Sequence, residues 1–215
     1  MSAKYVNTSR NTHRGLSKIT LDLFNHMVLY NESIWKLLTF ENVEIIDHED
    51  DENYNCNIHS EMDIVGDNLT RQQKVALLFK DGDDANDYRV QLQKMTDDAE
   101  KVTQCRLHMY IDEIIPVDDY ISIVNVNFNI ICHNKFNMIN GGKSSRIECV
   151  TEELINLFNG LILDSATGEV FFNYKKSRNT NRMVSDLSNS KNFFGNTLTM
   201  SVLFSKNEDK SLMNY

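Results

Sequence analysis

The sequence predicts an α+β protein, with an antiparallel β-sheet in β-β-α-β-β order, a packed helix, and N-terminal helices ahead of it. Three observations carry this expectation. Apolar and polar residues alternate with period two over residues 105–111, 124–130 and 198–204, the mark of strands with one buried face. Between the second and third of these, Ile147, Val150, Leu154, Ile155 and Phe158 recur at helical spacing. Residues 16–38 show the helical period twice before the first strand begins.

Residues 1–14 are polar and carry Lys4, Arg10 and Arg14 without an acid, which reads as a flexible N-terminal arm. Leu16, Ile19, Leu23, Phe24, Met27 and Val28 then form one apolar helical stripe. Asn31 and Ser33 offer cap oxygens to a short second helix bearing Ile34, Trp35, Leu37 and Leu38. Residues 41–68 change character: a run of acids at 47–52 is followed by Asn-rich sequence, and the stretch reads as a solvated acidic loop. The adjacent His48 and His59 make a metal site thinkable, but neighbouring acids alone define no ligand geometry. A further helix follows with Thr70 as its cap and Val75, Leu77, Leu78 and Phe79 apolar, and residues 81–100 are acidic again. Residues 15–103 are therefore a helical region with acidic loops.

Residues 104–205 form the expected sheet domain. Cys105, Leu107, Met109 and Ile111 alternate with Arg106, His108 and Tyr110 as a half-buried strand, and Pro116 marks a turn. The next strand places Val124, Val126, Phe128 and Ile130 opposite Asn125, Asn127 and Asn129. Asparagine is depleted in strands, so these side chains are expected to face a wet lumen or a partner. Ser145 and Glu148 have capping-box spacing before the helix 145–158, and Gly160 stands where a left-handed residue ends it. Val170, Phe172 and Tyr174 read as a third strand, residues 175–196 as a polar segment, and 198–204 as the last strand. Residues 206–215 are a polar C-terminal tail.

The composition narrows the classes. The 215-residue chain is 41% hydrophobic and 25% charged, with a net charge of −9, which suits a folded protein and not a sequence-independent DNA binder. Its 26 asparagines and single proline suit an AT-rich gene. Cys56, Cys105, Cys132 and Cys149 form no C-x-x-C pair, so they read as reduced structural thiols. The N-terminal sequence has no signal-peptide core, and no apolar run reaches the length of a membrane span. A soluble protein made in a cytoplasm is expected.

Catalytic signatures are equally sparse. Residues 141–145, GGKSS, precede a helix like a phosphate loop, but Asn137 stands where that loop needs its first glycine. Residues 81–87, DGDDAND, have the composition of a calcium loop with glycine at the wrong place. Cys132, His133 and Cys149 lack a marked third catalytic group, and His133 reads as a strand-end histidine bonded to the loop. No enzyme, metal or cofactor is expected.

The second half resembles the neck and tail-completion proteins of tailed bacteriophages, ring-forming proteins related to tail terminators. The residues that carry the likeness are a strand ending IICH (130–133), an Arg-led helix RIECVTEELINLFNG (146–160), then LIL, VFFNY and the strand LTMSVLF. Arg146, Ile155 and Gly160 fall close to the pattern's recurrent positions, and the Asn-heavy style is similar to crAss-like phages. The likeness spans about residues 104–205. It implies a structural virion protein forming a ring in the neck, joining the capsid portal to the tail and assembled in the host bacterial cytoplasm. Its partners would be further copies and other neck, portal or tail proteins, with DNA passing through without sequence-specific binding. An acidic chain fits a conduit that must not grip phosphates. The competing expectation is a small viral binding module acting on a host protein. For inter-subunit contacts, Phe193 and Phe194 are the expected anchors, and Lys175, Lys176, Arg178 and Arg182 would meet acidic surface on an adjacent copy.

Overall fold

The computed structural model describes residues 16–46, 57–60, 69–79, 88–94, 104–117, 121–163, 170–171, 184–186 and 192–205. The arms at 1–14 and 206–215, the acidic stretch 47–52 and the basic residues Lys175, Lys176, Arg178 and Arg182 lie outside them. The fold is α+β, with a helical layer on one face of a largely antiparallel sheet.

Helix α1, Leu16–Tyr30, buries Ile19, Leu23, Phe24, Met27 and Val28, as its stripe requires. Helix α2, Glu32–Thr39, follows after one residue. Asn31 caps it, its side-chain oxygen accepting from the Ile34 amide at 2.7 Å. Strands β1, Val43–Ile46, and β2, Asn57–Ser60, pair antiparallel where the sequence suggested loop. β2, NIHS, is mostly polar, and β1, VEII, is only four residues long, too short for a period-two signal to stand out. Helix α3, Arg71–Leu78, starts on a capping box between Thr70 and Gln73. It packs on α1 through an edge-to-face pair, Phe24 and Phe79, 4.7 Å apart, and Lys74 is ion-paired to Glu32 of α2.

The sheet begins with β3, Val90–Gln91, a two-residue strand running parallel to the next. That parallel edge is an addition to the expected antiparallel order. Strands β4, Cys105–Pro116, and β5, Ile121–His133, form a long antiparallel hairpin. Helix α4, Asn134–Asn137, and the short pair β6, Met138–Ile139, and β7, Ser144–Ser145, fill the loop after it. Here Gly141 and Gly142 take φ of 64° and 89°, a bend that side chains disfavour. Helix α5, Arg146–Phe158, then crosses the sheet, burying Ile147, Val150, Leu154 and Phe158 and leaving Ile155 half-buried. Phe158 packs on Phe128 of β5 at 5.4 Å between ring centres. Gly160 ends the helix at φ 86°.

Strand β8, Val170–Phe171, strand β9, Val184–Asp186, and the long β10, Phe193–Ser205, complete the sheet. The order is β3-β4-β5-β10-β8, with β9 also pairing β10. β10 starts at Phe193, five residues before the alternation at 198–204 shows it, and pairs with the whole of β5 down to Phe193 opposite His133. Residues of α1, α2, α3, β4, β5, α5 and β10 share one apolar core, so the helical region and the sheet fold around the same interior.

Two local predictions need correction. Ser145 makes no side-chain cap bond to α5. Instead Asn137 of α4 accepts from both the Ile147 amide, at 3.1 Å, and the Ser145 hydroxyl, at 3.3 Å. A side-chain cap eight residues upstream outcompetes the local box, because α4 holds Asn137 in place. The second correction concerns the outer face of the sheet. Arg106 and His108 are fully buried, and Asn125, Asn127 and Asn129 are only 2–7% exposed. They face neither a lumen nor solvent in this chain.

Candidate functional site

The sheet's second face is built by the residues that alternate with the core. Asn125, Asn127 and Asn129 of β5 lie directly opposite Ser201, Thr199 and Thr197 of β10. Each hydroxyl donates to the facing amide oxygen, at 2.7, 2.7 and 3.0 Å respectively. The amide nitrogens turn the other way, toward β4. Asn125 donates to the Glu113 carboxylate at 3.1 Å, while Asn127 and Asn129 donate to the Tyr110 hydroxyl at 3.4 Å. An asparagine carries a donor and an acceptor at opposite corners of one planar group, so it can link strands on both sides. That is a physical reason for asparagine in a central strand despite its poor propensity.

One end of this face is a cationic and aromatic cluster. The Arg106 guanidinium lies 4.5 Å from the Tyr88 ring centre and donates to its hydroxyl at 3.3 Å. His108 meets the same ring edge-on at 5.8 Å. Neither His108 nitrogen makes a well-formed hydrogen bond, although the Gln93 backbone approaches the ring. Burial, then the Arg106 charge, push the His108 pKa down to about 4, so it is neutral at pH 7.

The other end turns apolar. Ile115, Ile123 and Leu203 face one another across β4, β5 and β10, and all are half-buried. Val117, just past β4, is 57% exposed. Beside this row the edge of β4 is open: β3 pairs only Leu107 and His108, and among the described residues no strand covers Met109–Pro116 on that side. Asp112 is the extra residue of a bulge between Ile111 and Glu113, and Asp112, Glu113 and Pro116 are exposed. Charge, bulge and proline are the usual devices that stop an edge from pairing indiscriminately. The sequence held one signal for this edge. Alternation breaks at residues 111–116, IDEIIP, where the strand continues through its bulge.

A second exposed feature lies on the helical side. A groove of about 550 Å³ between α1 and α3 is lined by Leu21, Phe24, Val75, Phe79 and Leu92, with Arg71 and Asn25 bonded to each other at its rim.

The sequence-predicted contact residues separate. Phe193 is buried and packs edge-on against His133 at 5.0 Å, so it serves its own chain. Phe194 is 54% exposed. His133 also caps α4, its Nδ1 accepting from the Lys135 amide at 3.2 Å. Cys132 faces Cys105 in the core, and Cys149 lies on α5. Among the described residues no three His, Cys, Asp or Glu side chains are grouped to hold a metal, and no helix is long and apolar enough to cross a membrane.

The residue that sequence reading placed in a motif without a role is Arg146. Its fully buried guanidinium donates to four backbone carbonyls: Phe136 at 2.6 Å, Phe40 and Glu41 at 2.8 Å each, and Leu37. It stacks 4.1 Å over the Phe136 ring. A cation at the C-terminal end of α2 also complements that helix's dipole. Burial pushes the Arg146 pKa down from its ordinary value, yet a guanidinium stays charged in proteins.

The fold and surface define an α+β protein with a helix-backed sheet, an internal amide ladder and a β4 edge that, among the described residues, is paired only at Leu107 and His108. The profile of the YomW family matches residues 31–202, and the chain belongs to that family. The family's name is phage-derived, which agrees with a phage-associated protein. No curated protein matches the chain.

Proposed function

We propose that the chain is a non-catalytic structural component of a phage particle. It assembles with further copies into a ring in the neck, joins the portal to the tail, and lets DNA pass. The observation that carries the reading is the apolar row Ile115, Ile123 and Leu203 beside the open edge of β4. A strand or loop of the next copy can complete such an edge through main-chain hydrogen bonds while apolar side chains cover the row. The edge is restricted by its bulge, charges and proline, which favours one defined partner over indefinite stacking. Phe194 is a further exposed contact. The net charge of −9 suits a passage that does not hold phosphates.

The test is Ile115→Lys, judged by analytical ultracentrifugation of the full chain. The side chain is half-exposed, so the fold tolerates the change. A buried lysine in an interface weakens it by about 10-fold or more, and the variant should shift from oligomer to monomer. Unchanged assembly overturns the role of this row.

The α1–α3 groove favours a second reading, a viral module that binds a host protein. Leu21→Asp separates the two: it disrupts host-protein binding under the second reading and leaves self-assembly intact under the first.

A further inference from the structure

Cys105 and Cys132 are direct cross-strand partners in β4 and β5, and both thiols are free and fully buried. The kind of pair follows from the ladder. The preceding opposed pair, Gln104 and His133, is joined by a bond from the His133 amide to the Gln104 carbonyl at 3.1 Å. In an antiparallel ladder, hydrogen-bonded and non-hydrogen-bonded pairs alternate, so Cys105 and Cys132 form a non-hydrogen-bonded pair. Cα atoms in such pairs are about 4.5 Å apart, and the side chains lean together. A disulfide spans Cα separations of about 4.4–6.8 Å, a range that pairs of this kind reach.

We propose that Cys105 and Cys132 form a reversible cross-strand disulfide, a redox staple at the base of the β4–β5 hairpin. The oxidant is a small-molecule disulfide. One thiolate attacks it, giving a mixed disulfide and releasing one small thiolate. The second thiolate then attacks the protein sulfur of the mixed disulfide, closing the S–S bond and releasing the other. The protein loses two protons and two electrons, and one small disulfide becomes two thiols. The hydrogen bond between the two thiols, with the Arg146 and Arg89 charges, favours a thiolate at Cys105 against the cost of burial, while burial pushes the Cys132 thiol up. The remaining described thiol, Cys149, is on α5.

The full chain is unfolded in urea and refolded in a buffer of reduced and oxidised glutathione, so burial does not limit access. Thiols are then alkylated, and the digest is mapped without reduction. The expected result is a dominant Cys105–Cys132 link, a higher urea midpoint than the reduced chain, and return to the reduced midpoint with dithiothreitol. Cys149→Ser should keep the link and Cys132→Ser should abolish it. A persistent glutathione adduct, links spread among Cys56 and Cys149, or free thiols throughout would each overturn the proposal. The wild-type map decides even if a cysteine variant fails to fold.

Discussion

Arg146 is the residue whose loss the structure most sharply prices. Its four acceptors come from two places: Leu37, Phe40 and Glu41 at the end of α2, and Phe136 in α4. Those segments are about 100 residues apart in sequence, so the guanidinium ties the N-terminal helices to the sheet's connecting loop. Hydrogen bonds from a charged donor contribute about 1.5–3 kcal/mol each when taken singly. They share one side chain and are not additive, and water can reach some carbonyls once the side chain is gone. A buried carbonyl left unpaired costs about 1–3 kcal/mol, so with partial rescue by water about 3–5 kcal/mol in all is the expectation for Arg146→Met, which keeps the volume and removes the donors. Arg146→Lys keeps a charge but not the planar fork, and should fall between the two at about 2–3 kcal/mol. Urea unfolding followed by the fluorescence of Trp35, the single tryptophan and a buried residue of α2, reads both stability and the release of that helix. At an ordinary slope the Met variant's midpoint should drop by about 1–2 M. Met and Lys variants both within about 1 kcal/mol of wild type would refute the claim that the guanidinium pins these segments.

Phe158→Ala removes a fully buried ring packed against Phe128 and should cost about 3–5 kcal/mol, measured by the same unfolding. Asn127→Ala leaves the Thr199 and Tyr110 hydroxyls without their facing amide, and should cost about 1–3 kcal/mol with faster amide exchange in β10. His108 has a folded pKa near 4 against an ordinary 6.5, with Arg106 and Tyr88 beside it. The folded state therefore binds fewer protons, and its stability is complete above pH 6.5 and falls toward pH 4, by about 2–4 kcal/mol. A stability profile flat across that window would contradict this. Glu153, half-buried and bonded to Asn31 at 2.7 Å, has its pKa raised by burial. Its ionisation therefore opposes folding as pH rises, and Glu153→Gln should raise the melting temperature at pH 7 but not at a pH below the carboxylate range.

Local signals carried most of this fold. The α1 stripe, the Asn31 and Thr70 caps, the Gly160 stop and the alternation in β5 each rest on residues within one turn or strand of each other. What stayed hidden depends on distant partners. Asn137 replaces Ser145 as the α5 cap only because α4 presents it. Val90 and Gln91 become a strand only by lying against Leu107 and His108. The asparagines alternate with core residues and so imply a polar face, yet period two cannot say whether that face is wet, and here it is buried. The open edge of β4 was legible only as broken alternation around Asp112. Arg146 stood out as the start of a helix, while its four acceptors lie in other elements.

The central claim is that copies of this chain close into a ring. Negative-stain imaging of the full-length protein, with native mass spectrometry on the same sample, tests it directly. The account predicts closed rings of one stoichiometry with a central opening, alone or on the purified portal. A monomer at every concentration, with and without the portal, would contradict it.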